Sequence, residues 1–316
     1  MIFKTQTMQE IFSLLEERLQ SNETICFDVL DPDRCIGFYA GEKLEVAGEV
    51  YRCRSLRTWM ELAQLLGCIM KVPQKCEEAL VRLTFERITD HSFHIDNITQ
   101  KKEKYGSGSH FARIHKMEEA AFLYYYRQAL QNITLEKRRR ILDLGVNRGD
   151  EFEVIRNMVA PQHYGKMELI GIDHSQSAIE SAEARFPENN VTFRTHDINT
   201  LEALALGRFD LLISIGTLQS PGIRFKPFLM ELVQHHLQED AALILGFPNS
   251  RWIGGEMIYG AKAPNYAMSE MSLLFNDVIF AKKYLQQKKY RVTITGKEYI
   301  FLTATRIAPK SRKRIL

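Results

Sequence analysis

The stretch Ile141-Leu142-Asp143-Leu144-Gly145-Val146-Asn147-Arg148-Gly149-Asp150 decides the fold. Leu142, Leu144 and Val146 alternate with Asp143 and Gly145, and Ile141 extends the apolar entry, the pattern of a buried strand that runs into a tight turn. Open parallel sheets bind ligands at the carboxyl ends of their strands, so the turn is a candidate ligand loop. Gly145 and Gly149 permit positive φ and close approach of backbone, and Asn147 between them belongs to the residue type that best tolerates the left-handed region after glycine. From Glu151 to Met158, the residues Phe152, Val154, Ile155 and Met158 recur at helical spacing, with Asp150 and Glu151 suited to the first turn beside the positive end of the helix dipole. Alone, such a strand, turn and helix also serves as plain structure with no ligand.

Two further strands point the same way. Leu169-Ile170-Gly171-Ile172 is apolar and ends in Asp173, followed by His174 and Ser175 and then by Ala178, Ile179, Ala182 and Phe186 at helical spacing. A carboxylate at the tip of a second strand accepts hydrogen bonds from both hydroxyls of a ribose. Val191-Thr192-Phe193-Arg194-Thr195-His196-Asp197 alternates and ends in Asp197, placed to accept an adenine amine, with Ile198 to cover the ring. The near-continuous apolar run Phe209 to Gly216, which includes Ser214, ends under the same ligand.

These residues resemble the class I S-adenosylmethionine-dependent methyltransferases, whose first motif is an acidic residue followed by three glycines at alternate positions. Asp143, Gly145 and Gly149 match it, and Asn147 replaces the middle glycine, its side chain trimming the methionine end of the pocket. The resemblance covers about residues 113–306 and implies an α/β, Rossmann-like fold with a seven-stranded, mostly parallel sheet whose last strand is reversed. It also implies S-adenosyl-L-methionine as cofactor and S-adenosyl-L-homocysteine as product. Gly145, Asn147 and Gly149 would wrap the methionine moiety and Asp143 would orient its amino group. Asp173, with His174 beside it, would take the ribose, and Asp197 the adenine amine, with Ile198 and Ser214 completing the pocket. A dinucleotide oxidoreductase is the nearest competitor, but its turn carries an apolar residue where Asp143 stands. Tyr290 to Thr295, a Gly296-Lys297 turn and Tyr299 to Thr305 read as the hairpin that supplies the reversed strand.

At 316 residues and 45% hydrophobic, the chain has room for a second, smaller unit beside such a domain. The expected division is a small α+β domain over 1–90, a linker or lid over 91–112 containing Gly106-Ser107-Gly108-Ser109, and the methyltransferase domain over 113–316. In the first part, a helix is expected over Met8 to Leu19 and another over Leu56 to Met70. Strands are expected over Thr24 to Leu30, Cys35 to Tyr39, Leu44 to Cys53 with a bulge or turn at Gly48, and Leu80 to Ile88. A long helix is expected from Phe111 to Ile133. The five cysteines fall before residue 80, form no Cys-x-x-Cys pair and read as free, buried thiols, so no metal site is expected. No apolar run approaches the roughly 18 residues that span a bilayer, and Met1 to Glu10 is too polar for a signal peptide, so the expected location is cytoplasmic, with no membrane partner. Residues 1–100 hold eleven Lys/Arg against sixteen Asp/Glu, whereas residues 282–316 hold eleven against one, a density that suits either a solvated tail or phosphate contacts.

Methyl transfer from a sulfonium is an in-line displacement that asks the protein chiefly to position the acceptor and exclude water. Where the acceptor needs deprotonation, the candidate bases are His110, His115, Tyr105 and Glu256. Gly216-Thr217-Leu218-Gln219-Ser220-Pro221 lacks the Asn/Asp-Pro-Pro-aromatic signature of the enzymes that methylate base amines. After the expected fifth strand, Ala241 to Phe247, the connection 248–271 is long and rich in polar and aromatic residues, which marks it as a substrate-selecting loop with Arg251 as an anion anchor and Tyr259 beside it. The leading expectation is therefore methyl transfer to a small molecule. The alternatives are an RNA (tRNA) methyltransferase using the basic C-terminal surface and a non-catalytic S-adenosylmethionine-binding protein.

Overall fold

The alternating residues of Thr24–Leu30 and Leu80–Arg87 pair as antiparallel strands, Ile25 opposite Phe85 and Phe27 opposite Leu83, in the computed structural model, which describes residues 1–88, 108–261 and 271–307. Contacts divide the chain into two units, Met1–His91 and Ser92–Leu316. In the first, Ile2–Phe3 adds a parallel strand on one side of this pair, and Cys68–Met70 and Gln74–Lys75 pair with the other side. The helices Met8–Leu19 and Leu56–Leu65 lay Ile11, Leu15, Trp59 and Leu62 on Phe27, Leu83 and Phe85. Thr7 and Glu10 form a capping box that satisfies two amides at the start of the first helix.

Two expected elements of this unit are corrected. Cys35 to Tyr39 is no strand: Pro32–Cys35 is a 3-10 turn capped by Asp31, and it leaves Ile36 and Tyr39 exposed. Leu44 to Cys53 takes the turn expected at Gly48, folding back at Ala47 (φ 53°) and Gly48 (φ 78°) to give the hairpin Lys43–Val46 and Glu49–Arg52. The second helix stops at Leu65 because Gly67 turns left-handed at φ 68°, and Cys68 then starts a strand. All five thiols are free, but Cys26 and Cys76 are exposed, against the expectation of burial.

The second unit is built on β1 (Arg140–Leu144), β2 (Glu168–Asp173), β3 (Val191–Thr195), β4 (Phe209–Ile215), β5 (Leu237–Pro248), β6 (Tyr290–Gly296) and β7 (Tyr299–Arg306). They lie in the order β3-β2-β1-β4-β5-β7-β6. The first five pair in parallel, while β7 runs antiparallel to both β5 and β6. The strand order reverses between β1 and β4, which opens a crevice at the carboxyl end of β1. Helices α1 (Ala120–Asn132), α2 (Asp150–Met158), α3 (Gln176–Arg185), α4 (Phe225–Glu231) and α5 (Ser272–Gln287) cover the sheet. One core gathers Tyr126, Leu130, Phe152, Ile155 and Phe301 and the other Phe228, Leu229, Phe247 and Leu285, each side chain contributing about 1.5–3 kcal/mol on burial. The helix expected from Phe111 begins only at Ala120. His110–Arg113 and Lys116–Glu118 are 3-10 turns instead, because Arg148 donates to the carbonyls of Ala112 (2.7 Å) and Ile114 (3.1 Å), oxygens that a continuous helix would have used. Among the described residues no helix is long and apolar enough to cross a membrane.

Candidate functional site

The turn after β1 is held in shape by its neighbours. Gly145 takes φ 79°, and a Cβ there would stand 1.8 Å from Thr217 Oγ1, so the second residue after β4 packs onto the glycine itself. Asn147 adopts the left-handed region at φ 46° and its N–H donates to Asp173 Oδ2 at 3.0 Å. Gly149, at φ 82°, begins α2, and a Cβ there would meet Phe186 at 2.7 Å. Asp173, 5% exposed, also accepts the Ser175 N–H through Oδ1 at 2.9 Å and lies 3.4 Å from His174 Nδ1, so it fastens the tip of β2 to the turn. Arg185 of α3 donates to the Arg148 carbonyl, to Asp150 and to Glu153, at 2.8, 2.6 and 2.7 Å.

Beyond β3, Asp197 is exposed and accepts the backbone and side-chain N–H groups of Asn199 at 3.0 and 2.9 Å, while Ile198 is buried. Ser214 is buried within β4 and its hydroxyl donates to the Leu144 carbonyl at 3.1 Å, bracing β4 against β1.

Charge concentrates behind the turn. Asp143 is 1% exposed, and its Oδ2 has no hydrogen-bond partner among the described residues. Burial, reinforced by Glu151 and Asp173 and opposed by Lys116, holds its carboxyl well above the usual carboxylate range. Glu151, also buried, is pushed from 4.5 up to about 7 by desolvation, against the pull of the Lys116 ammonium. Burial weakens that ammonium, but Tyr299, Glu151, Asp150 and Asp143 outweigh the effect and keep it charged. The Lys116 nitrogen lies 5.5 Å from the Tyr299 ring centre and 5.8 Å from that of Phe122. Tyr126 closes the back of the cluster by donating to the Glu151 carbonyl at 3.3 Å. An orphaned buried carboxyl oxygen, a glycine turn and a tethered acidic strand tip fit a ligand with an ammonium at one end and vicinal hydroxyls at the other.

The expected bases are dispersed. His110 opens the first 3-10 turn, His115 is exposed ahead of the second, and Tyr105 lies outside the described residues. Glu256 is exposed in the ribbon formed by Ser250–Ile253 and Glu256–Tyr259. Burial, with Glu256 and Glu298 adding to it, raises the Glu119 carboxyl. In the same ribbon Arg251 donates to the Gly260 carbonyl at 2.8 Å and Tyr259 donates to Met271 Sδ at 3.0 Å, while 262–270 of the expected substrate loop lie outside the described residues. Among the described residues no cluster of His, Cys, Asp and Glu is suited to a metal ion. Sequence reasoning missed Lys116, Thr217 and Arg148, and took Glu151 only as a partner of the helix dipole. Its one available signal was a pair of consecutive acids, Asp150 and Glu151, of which the second falls on the inward face of α2.

The family described as "Methyltransferase domain" matches residues 135–293. No curated protein matches the sequence. Among solved structures, magnesium protoporphyrin IX methyltransferase (ChlM) from Synechocystis PCC 6803 with bound SAM is 16% identical, the alignment covering 67% of this chain and 100% of that one at a TM-score of 0.42. The methyltransferase domain of bacterial CtHen1-C is 14% identical over 58% of this chain and 97% of that one, TM-score 0.43. The precorrin-6y C5,15-methyltransferase of Geobacter metallireducens GS-15 is 12% identical over 58% and 88%, TM-score 0.41. Similarity at this level bears on neither substrate nor residue roles.

Proposed function

Because the chain belongs to the methyltransferase-domain family matched over 135–293 and is an S-adenosylmethionine-dependent enzyme, we propose that it methylates a small-molecule nucleophile by in-line displacement. The bound cofactor supplies an electrophilic methyl group on a sulfonium. The chain's own residues bind and orient. Asp143 accepts the α-ammonium, Gly145, Asn147 and Gly149 surround the methionine moiety, and Asp173, flanked by His174, accepts the ribose hydroxyls. Asp197 accepts the adenine amine, with Ile198 against the ring. The observation that carries this reading is the unpartnered, buried Asp143 oxygen at the carboxyl end of β1, beside the left-handed glycine turn.

Around that centre, Arg251 and Tyr259 serve as acceptor contacts and His110, His115 or Glu256 as the base where the acceptor carries a proton at neutral pH. In domain terms, residues 1–90 form the accessory unit, 91–112 the linker or lid and 113–316 the catalytic domain. Calorimetric titration with S-adenosylmethionine, S-adenosylhomocysteine and NAD tests the cofactor: micromolar binding of the two adenosyl ligands and none of NAD is expected, and binding of NAD alone overturns it. A screen of acceptors then separates small molecules from RNA. RNA binding that falls steeply with added salt transfers the activity to a polynucleotide.

A further inference from the structure

Resting on that reading of the β1 turn, we propose that Lys116 is the residue that selects the amino-acid end of the cofactor. Its ammonium takes the α-carboxylate while Asp143 takes the α-ammonium, so the pocket reads the zwitterion as one unit. A buried carboxyl, held well above the usual carboxylate range, and an ammonium face this space. Asp143 is almost wholly buried, with one oxygen lacking a donor among the described residues. Among the described residues the half-buried Lys116 makes no hydrogen bond and no ion pair within 4.0 Å; its nitrogen is held only over the rings of Tyr299 and Phe122. An ammonium and a carboxyl that share a desolvated space attract each other, so a lysine free to close on Asp143 would do so.

The backbone explains why it does not. Arg148, the last non-glycine residue of the turn, grips the carbonyls of Ala112 and Ile114 and so fixes the segment that carries Lys116. The ammonium stays within the field of Asp143 and Glu151 without touching either. An α-amino acid presents a cation and an anion on one carbon, which complements a buried carboxyl that a neighbouring cation would ionise and a fixed cation standing apart from it. A nucleoside without that group leaves both unpaired, and the site thereby discriminates against it.

Calorimetry on the full chain with three ligands separates the possibilities: S-adenosylhomocysteine carries both groups, decarboxylated S-adenosylmethionine only the ammonium, and 5′-deoxy-5′-methylthioadenosine neither. For Lys116→Met, S-adenosylhomocysteine should bind about 10- to 100-fold more weakly, as expected for loss of one charge-assisted hydrogen bond, while the other two ligands keep wild-type affinity. Lys116→Arg should restore most of the loss. Asp143→Asn should weaken both ammonium-bearing ligands and spare methylthioadenosine. Unchanged S-adenosylhomocysteine affinity in Lys116→Met overturns the proposal, as does an equal loss for all three ligands, which makes Lys116 a structural residue. Failure of the wild-type protein to bind any of the three overturns instead the cofactor reading on which the proposal rests.

Discussion

A Cβ at position 145 would enter the space of Thr217 on a backbone with φ 79°, so the glycine is required twice over, by dihedral angle and by contact. Gly145→Ala should lower the stability of the second unit by about 2–4 kcal/mol in urea unfolding. Combined with Thr217→Gly it should cost at least about 1 kcal/mol less than the sum of the single changes. Additive losses would show that Thr217 is not what excludes the side chain. Asp173 carries a second prediction. It anchors the Asn147 and Ser175 amides, so Asp173→Ala should weaken S-adenosylhomocysteine binding by about 1–3 kcal/mol, and unaltered affinity would remove the residue from the proposed site. Asp143, Gly145, Gly149 and Asp173 were legible in the sequence because strand periodicity and turn chemistry fix where they fall. Lys116 and Thr217 were not, since they reach the turn from segments whose approach no local pattern encodes. Alternation places Ser214 at the end of β4 but does not say that its hydroxyl reaches Leu144.

The first turn of α2 makes the site sensitive to pH. The folded protein holds the Glu151 proton more tightly than the unfolded chain, with the group raised from 4.5 to about 7 by burial. Its contribution to stability is therefore full below about pH 4.5, declines as pH rises, and is gone above about 7. Glu151→Gln should flatten the stability profile over that window, and profiles of identical slope would show that Glu151 is not the titrating group. A cationic ammonium favours the ionised acid, so cofactor affinity should rise with pH up to about 7 and release protons on binding, seen as a dependence of the binding enthalpy on buffer. The 3-10 turns before α1 depend on a neighbour: Arg148→Met should accelerate hydrogen exchange at residues 110–118, and exchange at the wild-type rate there would mean that the turns hold themselves. The apolar content of Phe111 to Ile133 read as one helix, because periodicity reports which face is buried and not which carbonyls a distant guanidinium will claim.

At the scale of the molecule, strand existence was legible and strand neighbourhood was not. Apolar runs marked β1 to β5 well enough, though β5 proved to run from Leu237 to Pro248. The spatial order was carried by no local pattern, and the two-residue strand Ile2–Phe3 was too short to carry one. A ligand held by the second unit should raise its unfolding free energy by about 2.7 kcal/mol at a hundredfold excess over Kd, moving its melting temperature by about 5–10 °C. Scanning calorimetry with S-adenosylhomocysteine tests this, and a transition that stays in place would mean that the unit lacks the site. Arg185 has a consequence for encounter kinetics. By tying the Arg148 carbonyl to Asp150 and Glu153, it keeps the turn in a single shape before anything arrives. Capture then proceeds without a loop-ordering delay, at the rate of productive collision, and differences in affinity among cofactor analogues will be written in how long each one stays.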